Sequence, residues 1–98
     1  MVEHIVLFKL KPEVTETQKE DFLRALRGMK GRIPGMVDLS AGESFTDRHK
    51  GFTIGLVVRL TDRAALEAYG PHPVHAPVKA LAGELSSEIL AVDYEFSA

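Results

Sequence analysis

From residue 2 the chain reads VEHIVLFKLK and then meets Pro12, a β-branched and aromatic run that stops where a strand should end. His4, Val6, Phe8 and Leu10 share one face of it, while Ile5 and Leu7 lie on the other, followed by Lys9 and Lys11. Apolar side chains on both faces predict a strand covered on both sides. The period then changes. Thr15 opens a capping box with Gln18, and Phe22, Leu23, Leu26 and Met29 recur at helical spacing. Gly28, Gly31, Pro34 and Gly35 end that helix. Met36 to Phe45 alternates Val37, Leu39, Ala41 and Phe45 against polar residues, which predicts a half-buried strand. After a polar turn at residues 46–51, Phe52, Ile54, Leu56, Val58 and Leu60 line one face of a third strand. Asp62 caps a short helix through Tyr69, and a second helical piece, roughly Val74 to Glu84, carries Pro77 in its first turn. The last strand, Ser87 to Phe96, sets Leu90, Val92, Tyr94 and Phe96 against Ile89, Ala91, Asp93 and Glu95.

The order strand, helix, strand, strand, helix, strand predicts an α+β domain of ferredoxin-like βαββαβ type, with a four-stranded antiparallel sheet. A chain of 98 residues has room for one core, so residues 1–98 are expected to form a single domain. Helices connected this way cover one face of the sheet. Ile5, Leu7, Val57, Ile89 and Ala91 are expected on the face left open. Covering them in a face-to-face homodimer is the simplest remedy.

Charge narrows the partners. Twelve Lys and Arg against 14 Asp and Glu give a net charge of −2, without the basic excess of a nucleic-acid footprint. The first residues lack a basic n-region and a cleavage site, and Ile5–Phe8 is far too short to cross a bilayer. Neither nucleic acid nor membrane is expected as a partner, and the cytoplasm is the default location. Without cysteine there is no disulfide, thiolate or iron–sulfur chemistry. Neither GxGxxG nor GxxxxGK occurs, so no nucleotide cofactor is expected.

His75 with Tyr69 is the best chemical pair the residues offer. Imidazole can take a proton from carbon next to a carbonyl, and a phenol can hold the resulting enolate oxygen. The competing structural role has His72 and His75 cap a helix start and pack on Tyr69. His4, on the apolar face of the first strand, is either a satisfied core histidine or a third member of the site. His49 lies in a polar turn and reads as solvated. His72-x-x-His75 has ligand-like spacing, but no third ligand is near in sequence and no metal is expected. Arg24, Arg27, Lys30 and Arg32 dress a helix C-terminus, which suits cations without any anion to grip.

Three stretches carry a family likeness: HIVLFKLK at the start, ETQKEDF in the first helix, and YGPHPVHAPVK with its HPxH core. Through them the whole chain resembles the stress-responsive dimeric α/β-barrel (Dabb) family. The resemblance implies a homodimer whose two sheets form a barrel, and a small pocket between sheet and helices. It does not imply one activity, because fold does not dictate function. One branch of the family cyclises polyketides without a cofactor. By its motif the catalytic His and Tyr fall on His75 and Tyr69, and a first-strand His falls on His4. The match is incomplete, since Leu26 and Ile54 stand where that branch has a pocket Tyr and a pocket His. Some members bind magnesium through backbone carbonyls after the first helix, which here implies Lys30, Ile33 and Met36; side chains do not report such ligation. The leading expectation is therefore a homodimer binding an apolar or aromatic metabolite. The alternatives are a cofactor-free lyase or cyclase using His75 as base and Tyr69 as oxyanion stabiliser, a cofactor-independent monooxygenase, and a purely structural assembly.

Overall fold

The computed structural model describes residues 1–97. In chain order the elements are β1 (Val2–Leu10), α1 (Glu16–Arg27), β2 (Met36–Glu43), β3 (Phe52–Leu60), α2 (Arg63–Tyr69), α3 (Ala76–Leu85) and β4 (Ser86–Glu95). The strands form one antiparallel sheet in the order β2-β3-β1-β4, the ferredoxin-like arrangement.

Local chemistry sets the helix ends. The Thr15 hydroxyl accepts from the Gln18 amide while the Gln18 side chain accepts from the Thr15 amide, the reciprocal cap read from the sequence. Asp62 accepts from the Ala65 amide at 2.8 Å and starts α2. Gly35 turns the chain into β2 at φ +84°, and a Cβ there would stand 2.6 Å from the Ala65 Cβ, so only glycine lets α2 sit this close.

The core lies between the sheet and the helices. Val2, Val6 and Phe8 of β1 and Ile54, Leu56, Val58 and Leu60 of β3 meet Phe22, Leu26 and Met29, together with Val78, Ala82 and Leu85 of α3. Phe8 and Phe22 pack edge to face at 5.0 Å.

The sequence reading of β4 needs correcting. Its alternation is right but its sides are reversed. Ala91 pairs with Val6 and Ile89 with Phe8, so both stand on the helix side, where they face a cavity. Leu90 and Val92, paired with Leu7 and Ile5, occupy the open face with Tyr94 and Val57. Leu90, Val92 and Tyr94 are each about half exposed and form an apolar strip on that face. Two smaller corrections concern β2, which ends at Glu43 and leaves Phe45 98% exposed in the following loop. A register shift between Met36 and Asp38 also turns Val37 to solvent. α3 starts at Ala76, two residues after the expected Val74, with Pro77 in its first turn.

Candidate functional site

The α2–α3 connection builds most of the site. α2 ends on Tyr69, Gly70 caps it, and Pro71 and Pro73 prevent it from continuing. The chain closes two tight turns, with the His72 amide donating to the Tyr69 carbonyl at 3.3 Å and the His75 amide donating to the His72 carbonyl at 2.9 Å. His75 thereby stands at the N-cap of α3, but its ring makes no capping bond. It folds back, with Nδ1 2.9 Å from the Gly70 carbonyl oxygen. A carbonyl only accepts, so Nδ1 carries the hydrogen and Nε2 holds the lone pair in the neutral ring.

Tyr69 packs against two imidazoles. Its ring centroid is 4.4 Å from that of His75 at 30°, and 5.4 Å from that of His4 in an edge contact. His4 comes from β1, opposite Asp93 of β4, and its Nδ1 meets the Asp93 carboxylate. Tyr69 is 2% exposed, and its hydroxyl has no hydrogen-bond partner among the described residues. Burial pushes the phenol up to about 12 from 10.0, so it stays a donor across the neutral range.

These three side chains line a cavity of about 240 Å3 between sheet and helices. Its other walls are apolar, from Val6 and Phe8 below to Leu26, Met29 and Val78 above, with Ile89 and Ala91 at the β4 side. Lys79 also lines it from α3, an amphipathic side chain whose stem suits an apolar wall. An apolar pocket with a few convergent polar groups has the character of a small-molecule site.

Sequence reasoning therefore singled out three residues that the fold brings together, and missed two that join them. Asp93 was assigned to the open face along with Ile89. Its pairing with His4 was the available signal, because a histidine on an apolar face needs a partner. Lys79 follows directly after a buried helix position and carried no signal of its own. His72 points elsewhere, its Nδ1 accepting from the Val74 amide at 3.0 Å, so the His72-x-x-His75 spacing does not make a chelate. His49 takes the Gly51 amide in the hairpin loop and does not line this cavity. Ile54 is fully buried and Leu26 lines the cavity, so the site offers an apolar wall at Leu26.

The loop after α1 fits magnesium poorly. The Ile33 carbonyl already accepts from the Met36 amide at 3.2 Å, and the nearby Asp38 carboxylate is held by the Lys30 ammonium at 3.1 Å. A hard dication asks for several oxygen ligands, and here one of the three carbonyls is already engaged and the nearby carboxylate is paired with an ammonium.

Known proteins share this fold. Residues 2–96 match the model of the Stress responsive A/B Barrel Domain, Dabb. The chain is 30% identical over 95 residues to olivetolic acid cyclase of Cannabis sativa, covering 95% of this chain and 94% of that protein. Among solved structures, a dimeric ferredoxin-like protein of unknown function from Thermobifida fusca superposes with a TM-score of 0.88 at 24% identity, over 97% of this chain and 90% of that one. Hydroxynitrile lyase from Passiflora edulis superposes with a TM-score of 0.86 at 18% identity, over 98% and 93%.

Proposed function

Given that the chain belongs to the stress-responsive A/B barrel (Dabb) family, we propose that it is a homodimer that binds a small apolar or aromatic carbonyl compound in the helix-side cavity and moves a proton on it without a cofactor. The observation that carries this reading is the Tyr69 hydroxyl. A buried hydroxyl without a partner costs about 1–3 kcal/mol, which a ligand oxygen in the cavity would offset. Next to it stands an imidazole whose Nδ1 is already committed to Gly70. Nε2 of His75 takes a proton from the carbon beside the carbonyl, and the Tyr69 O–H donates to the enolate oxygen that forms. The reaction class is lyase or cyclase chemistry, the class named by two of the similar proteins.

The dimer half of the proposal rests on the strip of Ile5, Leu7, Val57, Leu90, Val92 and Tyr94 on the open face. At about 25 cal/mol per Å2, covering these side chains contributes several kcal/mol before association costs. A second copy meeting the strip across a twofold axis covers both at once. Tyr94 and Val92 lie back to back with Asp93 on β4, so the dimer also fixes the strand that holds His4.

A second reading, ligand binding without turnover, has one observation in its favour. The wall at Leu26 is apolar, so an oxygen-rich substrate finds fewer hydrogen bonds than aromatic or alkyl groups find contacts.

Phenylacetone in D2O distinguishes the two. Its benzyl carbon is acidic enough to exchange and its ring suits an apolar cavity. The enzyme reading expects catalysed deuterium incorporation at that carbon by NMR, lost in His75→Gln. Saturable binding with no exchange above buffer would leave the binding reading. Absence of both would overturn the proposal.

A further inference from the structure

We propose that His4, backed by Asp93, is the acid of this site, working opposite His75; the inference rests on the proton-transfer reading above. The cavity is lined by two imidazoles, both packed against the Tyr69 ring, and their Nδ1 atoms are tied to chemically different partners. For His75 the partner is a neutral carbonyl, that of Gly70. For His4 it is the carboxylate of Asp93. A carbonyl fixes a neutral ring with Nε2 free to accept, whereas a carboxylate compensates the charge of a ring carrying both protons. Two groups of one kind in opposed settings are how a single site divides base from acid.

Position supports the division. The His4 side chain is 14% exposed and lines the cavity, while the Asp93 side chain is 40% exposed. Asp93 borders a separate surface cleft with Arg63, Glu67 and Glu95, where Arg63 is held by Glu95 at 2.6 Å. Asp93 is therefore left to His4. The charged and titratable groups that face the cavity besides His4 are Tyr69, His75 and Lys79.

The step balances without an added reagent. Nε2 of His75 takes the proton from the carbon next to the carbonyl, the electron pair moves onto the oxygen, and Nε2 of His4 gives that oxygen a proton while Tyr69 donates a hydrogen bond to it. Substrate becomes enol, His75 becomes the cation, and His4 becomes neutral with its Nδ1–H still on Asp93. The reverse transfer, or exchange with water once the product has left, restores both rings. Asp93 is a positioning and charge-compensating residue in this scheme and never touches substrate.

The test is the same deuterium exchange of phenylacetone, followed against pH in wild type, His75→Gln, His4→Gln and Asp93→Asn. Loss of a positioned acid lowers the rate by ~10² or more, and His4→Gln is expected to do so with phenylacetone affinity retained. Asp93→Asn is expected to move the alkaline limb of the profile to lower pH, which a merely structural role would not do. Should His4→Gln not fold, that limb decides, because Asp93 lies on an edge strand and its variant keeps the shape. Exchange by wild type that His75→Gln abolishes, with His4→Gln at the wild-type rate or Asp93→Asn with an unchanged limb, overturns the acid and leaves the base standing. No exchange by wild type overturns both.

Discussion

Replacing Tyr69 by Phe should make the protein more stable. The ring is 2% exposed and packed against His75 and His4, contacts that phenylalanine retains. What the substitution removes is one oxygen, buried and without a hydrogen-bond partner. An unpaired buried hydroxyl costs about 1–3 kcal/mol, and the small void left by its removal returns only part of that. The net gain should be ~1–2 kcal/mol, a sizeable share of the ~5–15 kcal/mol that holds a domain together. For a domain of this length each kcal/mol raises Tm by roughly 4–8 °C. Urea unfolding at neutral pH and one fixed protein concentration is the assay, since an associating protein's midpoint moves with concentration. The expected result is a higher midpoint with an unchanged slope. A destabilised Tyr69→Phe would mean instead that the hydroxyl already has a partner and is not held open for a ligand.

Other outcomes follow from the same structure. Because burial raises the Tyr69 phenol from 10.0 to about 12, the unfolded chain releases its proton first; stability is level below pH 10, then falls toward pH 12 by up to roughly 2–3 kcal/mol, and Tyr69→Phe abolishes that component of the alkaline unfolding profile. Gly35→Ala must place a Cβ 2.6 Å from that of Ala65 at a φ of +84°, and should lower the urea stability by about 2 kcal/mol or more. Val92→Lys, on the open face, should turn the dimer into monomers by sedimentation velocity. Ile89→Lys should leave the dimer intact and weaken ligand binding instead, because its neighbour in the strand faces the other way.

The swap between Ile89 and Leu90 shows where sequence reading reaches its limit. Both faces of β4 are apolar in its middle, so alternation defines two sets of residues without saying which one meets the helices. The register against β1 decides it, and register is a property of two strands. β3 was easier, because its continuous row Ile54, Leu56, Val58 and Leu60 has no equal on its other face. Caps were legible residue by residue, since Thr15 with Gln18 and Asp62 with Ala65 act within a single turn. Tyr69 and His75 were within reach of local reasoning, six residues apart around a proline-bounded turn. Asp93 was not, as 89 residues separate it from His4 and only the pairing of β1 with β4 joins them. Phe45 continued the alternation of β2 by composition alone, beyond the point where the ladder stops.

Calorimetric titration of phenylacetone into wild type and Tyr69→Phe asks whether the lone hydroxyl is the anchor for a carbonyl. Saturable binding to wild type is expected, weakening by roughly 5- to 150-fold in the variant, the worth of about 1–3 kcal/mol of hydrogen bond. Equal affinity for the two proteins would contradict it.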